Sequence, residues 1–203
     1  GQGFDFNWAW QNQNQNQNID FEDLGDVFEN FFSFGGGGRR ASKKDIKKGI
    51  ACTRLQCRFE IMQEKPLVIL DGAHNRAKIR STLENLKQLN FRKLYLIIGT
   101  ADNKDKVSML EQIIPLADHV FMTRFEIKDR KCAHPKELRV LSQKYLKRGA
   151  IIEMFLDPEQ ALTKALKQAH AKDLILVAGS FFLAGELRKN WISENRVLLK
   201  RSC

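Results

Sequence analysis

From residue 66 onward, apolar positions follow two alternating rhythms. Short continuous apolar runs, the kind a strand covered on both faces requires, alternate with stretches where apolar side chains recur every three or four residues, as on one face of a helix. Leu67-Val68-Ile69-Leu70 is the first run, and Ile79, Leu83, Leu86 and Leu89 follow at helical spacing. Leu94-Tyr95-Leu96-Ile97-Ile98 predicts a second strand, and Val107, Leu110, Ile113 and Ile114 a second helix. His119-Val120-Phe121-Met122 predicts a third strand. Pro135, suited to a first helical turn, opens a helix with Leu138, Leu141 and Leu146 facing inward. Ile151-Ile152 marks a short strand, and Ala161, Leu162, Ala165, Leu166 and Ala169 give the next helix a small-residue face. Leu174-Ile175-Leu176-Val177 ends at Gly179, after which Ser180 starts the last helix. Residues 59–62 are a candidate leading strand. Strands alternating with helices in this way imply βαβ units, so the expected fold is α/β, a Rossmann-like, mostly parallel sheet with helices on both faces. Ligands bind such sheets beyond the carboxyl ends of the strands. The loops after Leu70, Ile98, Met122 and Val177 are therefore where chemistry is to be sought.

A different pattern precedes residue 54. Residues 11–18 repeat Gln-Asn, a polar tract that cannot bury enough apolar surface to offset the entropy of ordering it. Phe21, Leu24, Val27, Phe28, Phe31 and Phe32 at three- and four-residue spacing predict a short amphipathic helix, which the glycines at 35–38 end. Charge divides along the same line. The first 38 residues carry Asp5, Asp20, Glu22, Asp23, Asp26 and Glu29 with no Lys or Arg, whereas residues 39–48 carry Arg39, Arg40, Lys43, Lys44, Lys47 and Lys48 against Asp45. The expected organisation is a mostly disordered tail over 1–53 and one folded domain over 54–203.

The net charge of +10 suits nucleic acid or a polyanion such as ATP, with a solvated basic surface as the plain alternative. Basic and aromatic residues are not interleaved as single-strand recognition requires, so nucleic acid is set aside. Cys52, Cys57, Cys132 and Cys203 are too scattered for a zinc pair or a disulfide framework, which points to a reducing compartment and no metal site. No run approaches the ~18 apolar residues of a membrane span, and the acidic start does not resemble a signal peptide. Cytoplasm is the expectation.

Asp71-Gly72-Ala73-His74-Asn75 directly follows the first strand. Gly72 permits a tight turn, Asn75 is a good helix N-cap, and Asp71 and His74 project towards a ligand. Ser180 has the residue type of an N-cap as well as of a ligand contact. Lys104 and Asp105 read as solvated charges at a helix start, His134 as a loop residue, and His119 and His170 as surface or edge positions.

The DGAHN motif after an apolar strand, with Arg58-Phe59-Glu60 upstream, resembles the C-terminal domain of folylpolyglutamate synthase/dihydrofolate synthase in the ATP-dependent Mur ligase superfamily. Gly99-Thr100-Ala101-Asp102-Asn103-Lys104-Asp105, His134-Pro135-Lys136-Glu137-Leu138 and the 178–186 segment AGSFFLAGE are similar to further family motifs, in the family's order. The resemblance implies that Arg58 and Asp71 contact ATP and that His74, Asn75 and Ser180 lie near the phosphates or the incoming L-glutamate. It also implies folate or dihydropteroate as the acceptor, with Mg²⁺ accompanying ATP. It assigns no catalytic residue to this domain. In the family, Trp-Pro-Gly stands where this chain has Leu55-Gln56-Cys57, which changes the turn that aims Arg58, and a Pro stands where this chain has Arg76.

The superfamily holds phosphates with a G-x-x-x-x-G-K-[ST] loop in a separate domain, and these 203 residues contain no such loop. The resemblance therefore implies a chain inactive alone, partnered by a P-loop domain in trans and leaving Mg²⁺ mainly to that domain. Ahead of it, GFDF at 3–6 and the 21–40 segment FEDLGDVFENFFSFGGGGRR resemble the Gly/Phe-rich region of J-domain co-chaperones, without the HPD-bearing J-domain or its zinc repeat. That makes a chaperone-associated interaction segment the rival reading.

Overall fold

The computed structural model describes residues 56–128 and 130–192. The Gln-Asn repeat, the phenylalanine-rich and basic segments, Cys52 and Cys203 lie outside the described residues.

Among the described residues six strands form one sheet: β1 (Glu60–Glu64), β2 (Leu67–Leu70), β3 (Leu94–Ile98), β4 (His119–Met122), β5 (Ile151–Met154) and β6 (Leu174–Ala178). Their order is β1-β2-β6-β3-β4-β5. The five predicted parallel strands are parallel. The leading strand begins one residue later and runs to Glu64, pairing antiparallel with β2 across a bulge between Ile61 and Gln63. A hairpin cannot return a parallel strand, so the short 65–66 turn dictates this orientation.

Among the described residues four α-helices connect the strands, α1 (Arg76–Leu86), α2 (Lys106–Ile113), α3 (Pro135–Ser142) and α4 (Pro158–Gln168), and α5 (Phe181–Arg188) follows the last strand. Alternation along the strands sorts the core into two faces. Ile69, Leu94, Leu96, Ile98, Val120, Met122, Leu174 and Leu176 pack with Ile79 and Leu86 of α1, Met109 and Leu110 of α2 and Leu138 of α3. Val68, Leu70, Tyr95, Ile97, Phe121, Ile175 and Val177 pack with Ala161 and Ala165 of α4 and Leu183 and Leu187 of α5.

Three expectations are corrected. Val107 is exposed, and the buried stripe of α2 is Met109, Leu110 and Ile113, continuing to Ile114. Leu89 and Leu146 lie beyond their helices and still pack on the core, because the chain folds back onto the sheet there. His119 is neither surface nor edge: it is buried in β4, stacked 4.4 Å from the Phe121 ring, with Nε2 2.8 Å from Glu153 Oε1. His170 is exposed, as expected.

Candidate functional site

β6 lies between β2 and β3, and its helix leaves to the opposite face from α1. Adjacent strands feeding helices on opposite faces open a crevice at their carboxyl ends. The β2 and β6 loops meet there: Gly179 N–H donates to Ala73 O at 2.8 Å, and Asp71 N–H to Val177 O at 2.9 Å. Gly179 has φ +96°, and a Cβ on it would stand 2.7 Å from Gly99 O. Only glycine accepts that backbone and that approach. Gly72 has another reason to be glycine than the expected turn: its φ is unexceptional, but a Cβ would stand 2.1 Å from Phe181 Cδ2. The Phe181 ring occupies that space.

Asp71 is 7% exposed. Its Oδ1 accepts from Ala73 N–H at 2.9 Å and its Oδ2 from Thr82 Oγ1 at 2.9 Å. Burial raises its pKa against these hydrogen bonds, the Arg58 charge and the Phe59 N–H. Asp71 thus ties β2, α1 and the Arg58 turn together.

His74 Nδ1 lies 2.8 Å from Gly72 O. A carbonyl only accepts, so Nδ1 carries the proton and the Nε2 lone pair faces Lys78 Nζ at 3.3 Å. Burial lowers the His74 pKa, and the positive charges of Lys78, Lys104 and Arg58 lower it further. Burial lowers the Lys78 pKa too, followed by the charges of Arg58 and Lys104. Three cations therefore act on a neutral imidazole, Lys78 in direct contact with it.

Arg58 sits on a turn between two residues in the left-handed region, Cys57 at φ 53° and Phe59 at φ 48°. The turn that Trp-Pro-Gly would have shaped is held by hydrogen bonds instead. Cys57 N–H donates to Glu60 Oε2 at 2.8 Å, and Gly72 N–H donates to Cys57 O at 2.6 Å. The Arg58 guanidinium lies 5.9 Å from the centroid of the Phe181 ring. Burial, then the Glu60 charge, pushes the Cys57 thiol up to about 11, so it is no nucleophile at neutral pH.

Asn75 Oδ1 caps α1 through Lys78 N–H at 2.9 Å, leaving its amide group to donate outward. Ser180 Oγ accepts from Phe182 N–H at 3.1 Å, capping α5 while its own proton remains to donate. Asp105 caps α2, and His134, expected as a plain loop residue, caps α3 through Lys136 N–H at 3.1 Å. The structure therefore gathers Arg58, Asp71, His74 and Asn75 around one loop, which Gly179 joins to the turn that carries Ser180. It adds Lys78, Thr82 and Phe181, which sequence reasoning missed. Lys78 is detectable in hindsight as the i+4 partner of His74, and Thr82 as the i+4 partner of Lys78.

Among the described residues no group of three or more His, Cys, Asp or Glu side chains gathers for a metal ion. With the Asp71 oxygens committed as described, the site does not fit Mg²⁺, and no step is assigned to a metal here. No helix among the described residues is long and apolar enough to cross a membrane.

Residues 57–181 match the family model "Mur ligase, glutamate ligase domain". The chain is 31% identical over 147 residues to a probable bifunctional folylpolyglutamate synthase/dihydropteroate synthase of Halobacterium salinarum, covering 72% of this chain and 17% of that protein. It is 29% identical over 143 residues to a UDP-N-acetylmuramoyl-L-alanyl-D-glutamate–L-lysine ligase of Streptococcus sanguinis, covering 68% and 29%. Among solved structures, E. coli FolC in complex with DHPP and ADP superposes with a TM-score of 0.64 at 26% identity, covering 82% of this chain and 36% of that one. The chain thus spans well under half the length of the proteins it matches. A doubly wound sheet with its crevice at the DGAHN loop, and a family match spanning more than half the sequence, establish that this chain belongs to the Mur ligase, glutamate ligase domain family.

Proposed function

We propose that the domain is the nucleotide- and glutamate-contacting part of an ATP-dependent ligase of the folylpolyglutamate synthase/dihydrofolate synthase type. In that reaction the terminal phosphoryl group of ATP passes to a folate or dihydropteroate carboxylate, giving an acyl phosphate and ADP. The amine of L-glutamate attacks the acyl carbon, the bond to the phosphate oxygen breaks, the nitrogen loses a proton, and phosphate leaves. The cationic cluster at the DGAHN loop carries this reading, since positive charge aimed at a strand-end crevice is what a polyphosphate requires. Arg58 contacts the nucleotide, and Asp71 organises the loop that presents the site to it. The donors left on Asn75 and Ser180 face the phosphates or glutamate, and His74 lies beside them, orienting Lys78. The similarity to a lysine-adding ligase supports the acid–amino-acid ligase class and keeps another amino acid as the rival substrate. Phosphate positioning supplies most of the catalysis in phosphoryl transfer, so turnover requires a P-loop domain alongside this one.

The test is calorimetric titration of ATP·Mg²⁺ into the full chain, wild type beside Arg58→Ala, with and without L-glutamate. Arg58 is exposed, so the variant folds. Affinity falling about tenfold in the variant supports the reading; equal binding by both proteins, or none by the wild type, overturns it.

A further inference from the structure

We propose that Lys78, outside every family motif in the chain, is a further phosphate-binding residue of this site and takes the polyphosphate of a nucleotide together with Lys104 and Arg58. The inference rests on the ligase reading above and deepens it. Lys78 lies in the first turn of α1, which carries no acidic residue. The positive end of a helix dipole disfavours cations, and acidic residues stabilise that position. The sequence nevertheless places Arg76 and Lys78 there. Arg76 reaches Glu111 at 3.8 Å, whereas among the described residues neither Lys78 nor Lys104 forms an ion pair.

Local geometry makes the arrangement more specific. Lys78 Nζ is held over the loop by His74 Nε2 at 3.3 Å, and His74 is in turn fixed by Gly72 O at 2.8 Å. One ammonium proton points to the imidazole, and two remain to donate. The carboxylate that acts on Lys78, Asp71, already accepts from Ala73 N–H and Thr82 Oγ1. Lys78, half-buried and with its proton affinity lowered by burial and then by the charges of Arg58 and Lys104, raises the free energy of the empty site. A polyanion between them removes that penalty, as it does wherever Lys or Arg meets phosphate.

The experiment is titration of the full chain with inorganic triphosphate and, separately, ATP·Mg²⁺, using wild type, Lys78→Met, Lys78→Arg and Lys167→Met. Lys167, exposed on α4 and on the opposite sheet face, controls for loss of one charge. Lys78→Met is expected to weaken triphosphate about tenfold, Lys78→Arg to restore most of it, and Lys167→Met to change it less than about twofold. Melting curves confirm that each variant is folded. Triphosphate and ATP binding untouched by Lys78→Met overturns the proposal while leaving the ligase reading intact. Triphosphate binding that depends on Lys78, without any ATP binding, upholds the anion site and removes the ligase reading. No binding of either ligand by the wild type overturns both.

Discussion

Glu60 and Arg188 form a two-point ion pair, Arg188 Nε to Glu60 Oε2 at 2.9 Å and Arg188 Nη2 to Glu60 Oε1 at 3.0 Å. Glu60 Oε2 also accepts the Cys57 N–H. The pair therefore clamps the last turn of α5 to the edge hairpin and, through Cys57, holds the turn that carries Arg58. At its other end, α5 sets Phe181 beside the Arg58 guanidinium. One helix thus braces Arg58 twice.

Arg188→Met is expected to destabilise the domain by about 2–4 kcal/mol, because Glu60 would be left largely buried without its counter-charge. Side-chain exposures of 12% for Arg188 and 20% for Glu60 place the pair away from bulk solvent. Urea unfolding measures the loss, and ATP titration well below the transition measures the effect on Arg58. An unchanged unfolding midpoint would show that the clamp contributes nothing.

Gly179→Ala is expected to cost about 3 kcal/mol, combining left-handed strain with a collision against backbone. Gly149 supplies the reference, since its φ is +82° and an added Cβ meets nothing within 4 Å. Gly149→Ala should cost only about 1 kcal/mol of strain. If thermal melts show the two substitutions to be equal, the contact of Gly179 with Gly99 O carries no weight.

Acid should unfold the domain partly through Asp173. Its Oδ1 accepts from Arg92 Nε at 3.1 Å and its Oδ2 from His170 N–H at 2.8 Å. Burial opposes ionisation, but Arg92 and the His170 N–H outweigh it and leave the pKa lowered; Glu60 is lowered by Arg188 and Cys57 in the same way. A lowered folded pKa gives stability that is complete above the unfolded value, about 4, and is lost as pH falls through the folded one. These carboxylates should therefore make unfolding free energy decline below about pH 4, beyond the earlier loss that the lowered His74 and His119 pKa values begin as pH falls below the ordinary imidazole value of 6.5. Asp173→Asn should be less stable at neutral pH with a shallower acid limb, and a wild-type acid slope in that variant would exclude Asp173.

Strand and helix periodicity, a property of consecutive residues, determined the α/β class, the five parallel strands and the order of the helices. The same local character made the caps at Asn75 and Ser180 visible, because an N-cap bonds only two or three residues away. The pairing direction of β1 follows from the short 65–66 turn, but the burial of His119 was not written in any local pattern, since it depends on what lies beside a strand rather than along it. The site divides in the same manner. DGAHN is contiguous and readable, whereas the Glu60–Arg188 clamp joins residues 128 positions apart, and Phe181 meets Gly72 only because β6 inserts between β2 and β3. Sequence by itself settled which residues carry charge and which elements present them. Only the tertiary structure decided that Arg58, Lys78 and Lys104 act on one imidazole and that Asp71 is occupied inside the loop, because electrostatics and hydrogen bonding depend on distance in space, and the fold alone sets those distances.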